Sequence, residues 1–188
     1  MTFIKPVFIS IAAVVAATTT AIIFLSLSCS CCAIIDNYKI SVGFTSSKNS
    51  ASNLILNAIN KANHKIDIAA YSFTSKNISL TLLQAKKRGV IIRILADYKA
   101  NHKYTAITFL ANKGISVRLN SNYSIMHNKF MIIDNQLVQT GSYNYTAAAA
   151  NHNAENIIII YNAPNIASKY NSEFNRLWKE STNLVPQY

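Results

Sequence analysis

The stretch from Lys129 to Thr140 reads as a hairpin. Two β-prone apolar runs, Lys129-Phe130-Met131-Ile132-Ile133 and Gln136-Leu137-Val138-Gln139-Thr140, flank Asp134-Asn135, a pair that tolerates positive φ in a two-residue turn. With Asp134 and Asn135 as the loop, Ile133 pairs with Gln136, Lys129 with Thr140 and His127 with Ser142. Alternation along the strand then sets His127 and Lys129 on one face, and Ser142 and Asn144, of the same parity, join them. Polar groups gathered on one strand face require mutual hydrogen bonds or a ligand.

These residue types suit one kind of ligand. An imidazole serves as nucleophile or general acid, a lysine supplies a compact positive charge, and hydroxyl and amide groups orient an anionic oxygen. Around a phosphoryl group the protein mainly positions atoms and neutralises developing charge, which a histidine flanked by lysine and asparagine does without a metal. Nor do the remaining histidines and carboxylates show an H-E-x-x-H or other ligand spacing, so the expectation is a site with no metal and no cofactor.

The whole pattern, His127-x-Lys129-x-x-x-x-Asp134 followed by Gly141-Ser142-x-Asn144, resembles the signature of the phospholipase D superfamily. It looks most like the short, single-motif bacterial branch of secreted phospholipase D-like proteins and endonucleases, and the resemblance runs from about Ile40 to Trp178. It implies that His127 forms a covalent phosphohistidine, that Lys129 and Asn144 hold the phosphate oxygens, and that Ser142 and Glu155 support the histidine. The motif includes Asp134 among the catalytic residues. The parity of Asp134, opposite to that of His127 and inside the turn, assigns it a structural role instead. Glu155 precedes the run Ile157-Ile158-Ile159-Ile160, which reads as a buried strand, so its carboxylate sits at a strand entrance where it can orient an imidazole.

Two-step chemistry through a phosphohistidine needs a second acid, and larger relatives supply it from a second motif. This chain has one motif; His64, His102 and His152 have no lysine two residues on. The consequence is a two-fold homodimer with both His127 residues at a shared interface, completing half of a two-motif enzyme. His152, near Glu155, is a substitute acid within the same chain.

Ahead of this domain lies a different kind of sequence. Residues 6–28 carry no charge and are dominated by Val, Ile, Ala and Phe, which reads as an export signal or membrane anchor. The expected division is therefore 1–32 as signal or anchor and 33–188 as the phosphodiesterase domain, exported to a secreted or periplasmic location. All three cysteines, Cys29, Cys31 and Cys32, fall at the boundary, which leaves the domain with no disulfide.

Within the domain, helices at Ser50–Asn63, Lys76–Arg88 and Tyr104–Lys113 alternate with strands at Lys65–Tyr71, Val90–Ala96 and Ile115–Leu119, and Ile166–Lys179 closes the chain as an amphipathic helix. This is α/β packing, expected as a mixed, mostly parallel sheet with helices on both faces. Beyond residue 32 stand 17 Lys and Arg against 7 Asp and Glu, a balance of +10, clustered at Lys86-Lys87-Arg88 and across Lys99–Lys103. The partner should be anionic, a phospholipid membrane or a nucleic acid. Tyr71, Phe73, Tyr98, Tyr123, Tyr143 and Tyr145 are the aromatic candidates for lining a cleft. The expected activity is hydrolysis of a phosphodiester, as a phospholipase D cleaving phosphatidylcholine or as a metal-independent endonuclease. A silent membrane- or nucleic-acid-binding module is the reading of another class.

Overall fold

Alternation of helical and strand periodicity after Ser50 produces three consecutive β-strands joined by helices, and the computed structural model describes residues 38–45, 50–101 and 106–185. The elements are β1 (Lys39–Phe44), α1 (Ala51–Asn60), β2 (Lys65–Ala70), α2 (Lys76–Lys87), β3 (Ile91–Asp97), α3 (Tyr98–Asn101), α4 (Ala106–Asn112), β4 (Ser116–Asn120), β5 (Lys129–Ile133), β6 (Leu137–Gly141), α5 (Ala147–Asn151), β7 (Asn156–Tyr161), α6 (Pro164–Lys179) and β8 (Thr182–Asn183). Side-chain oxygens of Ser50, Ser75 and Thr146 cap α1, α2 and α5, and Pro164 opens α6 at a position where its missing N–H costs nothing. The expected export segment and its cysteines lie outside the described residues, as does part of the Lys99–Lys103 cluster.

One eight-stranded sheet runs in the order β1-β7-β6-β5-β2-β3-β4-β8. It is mixed and carries helices on both faces, as expected. The expectation that parallel pairs predominate is corrected: only β2–β3 and β3–β4 are parallel. The reason is connectivity. After β4 the chain turns back through hairpins and short links in place of long helical crossovers, so β5, β6, β7, β1 and β8 all pair antiparallel.

Burial follows the two faces. Ile55, Ile59, Ile78, Leu82, Ile107 and Leu110 of α1, α2 and α4 pack on one side with Ile66, Ile68, Met131 and Ile159 of the sheet. Ala167, Phe174 and Leu177 of α6 cover Ala69, Leu95, Phe130, Ile132 and Val138 on the other. Beneath α6 a buried ion pair ties helix to sheet: Arg93 Nε and Nη2 each donate to Asp67 at 2.7 Å, and the guanidinium lies 4.7 and 5.2 Å from the ring centroids of Phe174 and Trp178.

The hairpin forms where it was expected, with a different register. Asp134 and Asn135 both take positive φ, 52° and 56°, and Gln136 N–H donates to the Ile133 carbonyl at 3.1 Å, as a two-residue turn requires. The ladder nevertheless pairs Ile133 with Leu137 and Phe130 with Thr140. Gln136 is diverted: its carbonyl accepts from Ala163 N–H at 2.8 Å, at the start of α6. One residue drops out of the ladder, so the expected pairings of Lys129 with Thr140 and His127 with Ser142 do not form.

Asp134 performs the structural task its parity indicated. Its carboxylate accepts backbone N–H bonds from Asn63, His64 and Lys65 at 2.9, 2.8 and 2.8 Å, tying the hairpin to the entrance of β2. Partial burial works against its charge, yet the three N–H donors outweigh it and hold the carboxyl below its ordinary value. A folded-state pKa below the unfolded one contributes stability that is complete above the unfolded value and disappears as pH falls through the folded one. Asp134→Ala should therefore cost about 1–2 kcal/mol in urea unfolding at pH 7. The gap to wild type should close as the pH drops below 3.8; a gap unchanged down to pH 2 would contradict the assignment.

Candidate active site at one end of the sheet

Strand ends collect the candidate residues. Thr45 follows β1, Tyr71 follows β2, His127 precedes β5, Gly141 closes β6 and Glu155 precedes β7, so all lie at the same end of the sheet. His127 is not in the strand, as alternation with Lys129 had suggested, but in the loop before it, with its side chain exposed. Lys129 is the first residue of β5 and is buried at 8% exposure.

Tyr71 holds these two together. The edge of the His127 ring meets it at a centroid distance of 4.7 Å and an interplanar angle of 62°, and Lys129 Nζ lies 5.4 Å from the same ring centroid. Lys129 Nζ also donates to the His127 carbonyl at 2.9 Å. Desolvation pushes the Lys129 ammonium below its ordinary value, with the Glu155 carboxylate opposing that shift from nearby. A poorly hydrated cation interacts with an anionic ligand more strongly than one at the surface.

A second cluster is built at Gly141. With φ at 152° and an added Cβ that would fall 2.3 Å from the Asn156 carbonyl oxygen and 2.9 Å from Ile157 Cα, only glycine fits this approach of β6 to β7. The approach lets Ser142 N–H donate to the Asn156 carbonyl at 3.1 Å, while Ser142 Oγ donates to Glu155 Oε2 at 2.5 Å. Asn153 Nδ2 donates to the other carboxylate oxygen at 2.9 Å, and Glu155 N–H donates to Thr45 Oγ1 at 3.1 Å. Both oxygens of Glu155 are thus engaged and its backbone is tied to β1.

Asn144 contributes a buried side-chain oxygen with no hydrogen-bond partner among the described residues. That oxygen only accepts hydrogen bonds, so it could take a donor but not a phosphate oxygen, and Asn144 lines neither of the two cavities at this end of the sheet. The described residues give the His127 imidazole no hydrogen bond to Ser142 or Glu155, and the shifted register accounts for it: Lys129, not His127, comes to the level of Gly141.

Two cavities open here. One, of about 380 Å³, is lined by His127, Lys129, Thr140, Gly141, Lys169 and Tyr170. A wider one, of about 760 Å³, is lined by Phe44, Thr45, His152, Asn153, Glu155 and Asn156. His152 lines the second and not the first. Asp134 belongs to neither; placing it with the catalytic residues is corrected by its position at the opposite end of β5, where backbone N–H groups occupy its carboxylate. Of the aromatic candidates, Tyr71 reaches the site, while Phe73, Tyr143 and Tyr145 are core. Sequence reasoning missed Thr45, Asn153, Lys169 and Tyr170; Lys169 is an exposed position of an amphipathic helix, where spacing says only that it faces out, while Tyr170 packs edge to face with Phe130 at 5.0 Å between ring centroids. No cluster of three or more His, Cys, Asp or Glu among the described residues is arranged to hold a metal.

The comparisons with known proteins agree on a family. A family profile described as cardiolipin synthase, PLD-like domain, matches residues 55–178. Phospholipase D from Rickettsia conorii is 42% identical over 107 residues, covering 56% of this chain and 54% of that protein. Mitochondrial cardiolipin hydrolase from Drosophila melanogaster is 34% identical over 146 residues, 66% of this chain and 57% of the other. The chain spans little more than half the length of these curated relatives. Among solved structures, Nuc from Salmonella typhimurium, a phospholipase D family member, superposes with a TM-score of 0.75 at 38% identity, over 79% of this chain and 99% of that one. NucT from Helicobacter pylori gives 0.72 at 26% identity over 78% and 99%.

Gly141→Ala tests how far the site depends on the β6–β7 approach. The new Cβ meets backbone, which has no flexible end to swing away, so the strands must part. Thermal unfolding should show a loss of about 2–4 kcal/mol, and hydrogen exchange at Ser142 and Asn156 should accelerate. A variant of unchanged stability and exchange would contradict this.

Proposed function

This chain belongs to the phospholipase D superfamily, and we propose that it is a phosphodiesterase in which the His127 imidazole attacks phosphorus. The observation that carries the reading is the exposed His127 ring at the mouth of a cavity whose wall holds the buried Lys129 ammonium. Attack forms an N–P bond and breaks the bond from phosphorus to the leaving oxygen, which takes a proton from an acid; water then cleaves the N–P bond and restores the imidazole. Lys129 neutralises the charge that develops on the phosphoryl oxygens. Ser142 and Asn153 fix the Glu155 carboxylate, leaving it a single orientation toward the site.

The acid is assigned to His127 of a second copy. A single motif per chain and an exposed imidazole both suit a two-fold assembly in which the two histidines face one substrate, one attacking and one protonating. For substrate, a phospholipid is favoured: relatives carry the names phospholipase D and cardiolipin hydrolase, and the uncharged run 6–28 suits delivery to a membrane or export across one. Nucleic acid is the second reading, supported by the balance of +10 beyond residue 32.

Incubating the purified protein, with chelator, with phosphatidylcholine vesicles and separately with plasmid DNA distinguishes these. Choline release supports the first reading and nicking the second, and His127→Asn should lower whichever rate appears by about 10³-fold or more. A mutant of full rate would remove His127 from the chemistry. Light scattering should give twice the chain mass for the active species; an active monomer contradicts the shared site. Because burial lowers the Lys129 pKa, its charge disappears as pH rises through the lowered value, so activity should fall on the alkaline side before pH 10.5 is reached. A rate that holds level beyond that pH would exclude a role for the charged ammonium.

A further inference from the structure

His127 stands in the loop 121–128 between β4 and β5, outside any strand ladder, with an exposed side chain. An exposed imidazole moves among staggered rotamers, and a nucleophile that must meet phosphorus in line gains from being held in one of them. Among the described residues neither Ser142 nor Glu155 bonds the ring; the Ser142 hydroxyl and the Glu155 carboxylate are engaged with each other. The side chain that the imidazole does meet is Tyr71, at 4.7 Å between ring centroids and 62° between planes. The same Tyr71 ring lies 5.4 Å from Lys129 Nζ, so one aromatic ring stands against both groups that the reaction brings to phosphorus.

Tyr71 is itself fixed from beneath. Asp97, at the end of β3, and Asn101, at the end of α3, are 2% and 1% exposed, and polar groups so deeply buried require bonded partners. Asn101 Nδ2 donates to the Tyr71 carbonyl at 2.6 Å, and Phe73 N–H donates to Asn101 Oδ1 at 3.0 Å, which pins the chain on both sides of Ser72. Asp97 Oδ2 accepts from Met126 N–H at 2.8 Å, fixing the residue before His127, and Lys99 Nζ donates to the Ser124 carbonyl of the same loop at 3.2 Å. Asn101 Nδ2 also donates to the Asp97 carbonyl at 2.9 Å, which joins the two holds. The β2–β5 ladder ends at Ala70 opposite Lys129, and beyond it the buried pair keeps the Tyr71 segment and the His127 loop together. Phe73 is fully buried whereas Tyr71 is half-buried, so the core takes one aromatic of this segment and leaves the other for the site.

We propose that Tyr71 is a positioning residue, whose ring holds the His127 imidazole in the orientation of attack while Asp97 and Asn101 fix where that ring stands. This rests on the phosphodiesterase reading of the site. Tyr71 does not line the cavity beside His127 and Lys129, so it acts through the imidazole and not on substrate. The role belongs to the ring: phenylalanine supplies the same face and edge, whereas leucine keeps apolar volume and loses both.

The test uses the full chain and the soluble diester bis(4-nitrophenyl) phosphate. Tyr71→Phe should stay within about twofold of wild type in kcat and KM, and Tyr71→Leu should lose about tenfold or more in kcat with KM changed less than about threefold. Selective labelling of histidine and tyrosine for NMR follows the ring itself. In the wild type the His127 ring protons, identified by their loss in His127→Asn, should show a nuclear Overhauser contact to the Tyr71 ring. Their ring-current displacement should persist in Tyr71→Phe and collapse in Tyr71→Leu. A leucine variant of full kcat, a phenylalanine variant that loses as much as leucine, or a loss confined to KM would overturn the inference. So would a wild type without the ring contact, a result that needs no variant to fold. If the wild type does not turn over the soluble diester, the phosphodiesterase reading falls, while the ring contact and its collapse in Tyr71→Leu still decide whether Tyr71 places the imidazole.

Discussion

The close approach of two backbones at Gly141 is the constraint on which the site depends. No side chain fits between the end of β6 and the start of β7, and that contact brings Ser142 to Glu155 and both to the level of Lys129. Every other element of the site adds to this frame from a strand end. Tyr71 comes from β2 to hold the His127 ring, and Thr45 comes from β1 to hold the Glu155 backbone. A glycine in the motif is thus a geometric requirement of the sheet rather than a group with chemistry of its own.

Residues that share a motif here have divided labour. Lys129 is held where burial lowers the affinity of its amine for a proton, a cost to the fold that a phosphate ligand would reverse. Asp134, in the same motif, works five residues along the chain and at the other end of the strand, where three N–H donors lower its pKa and the charge supports the fold. One strand therefore carries a buried, poorly solvated charge at its start and a charge that secures its position at its end.

Much of this was legible in the chain. Alternating periodicities located α1, α2, β2, β3 and β4 to within a few residues, and Asp134-Asn135 marked the turn correctly. The register escaped because it depends on Gln136 accepting a bond from Ala163, a partner twenty-seven residues away that turn chemistry does not contain. The proportion of antiparallel pairing escaped for a similar reason: β1 joins β7 across more than a hundred residues, and nothing local in either strand names the other. Spacing brought out His127, Lys129, Ser142, Asn144 and Glu155, but Asn153, Thr45 and Lys169 look like any exposed polar residue until the fold places them. The Asp67–Arg93 pair was equally silent, since two charges in consecutive strands show a partnership only once those strands are parallel and in register.

The account stands or falls on a covalent bond between His127 and phosphorus. Rapid acid-free quenching during turnover of a soluble phosphodiester, followed by peptide mapping by mass spectrometry, tests it directly. The account predicts a transient phosphoryl adduct on the peptide that carries His127, stable in alkali and lost in acid. Turnover that proceeds with no adduct on that peptide, or with the adduct on another residue, would contradict it.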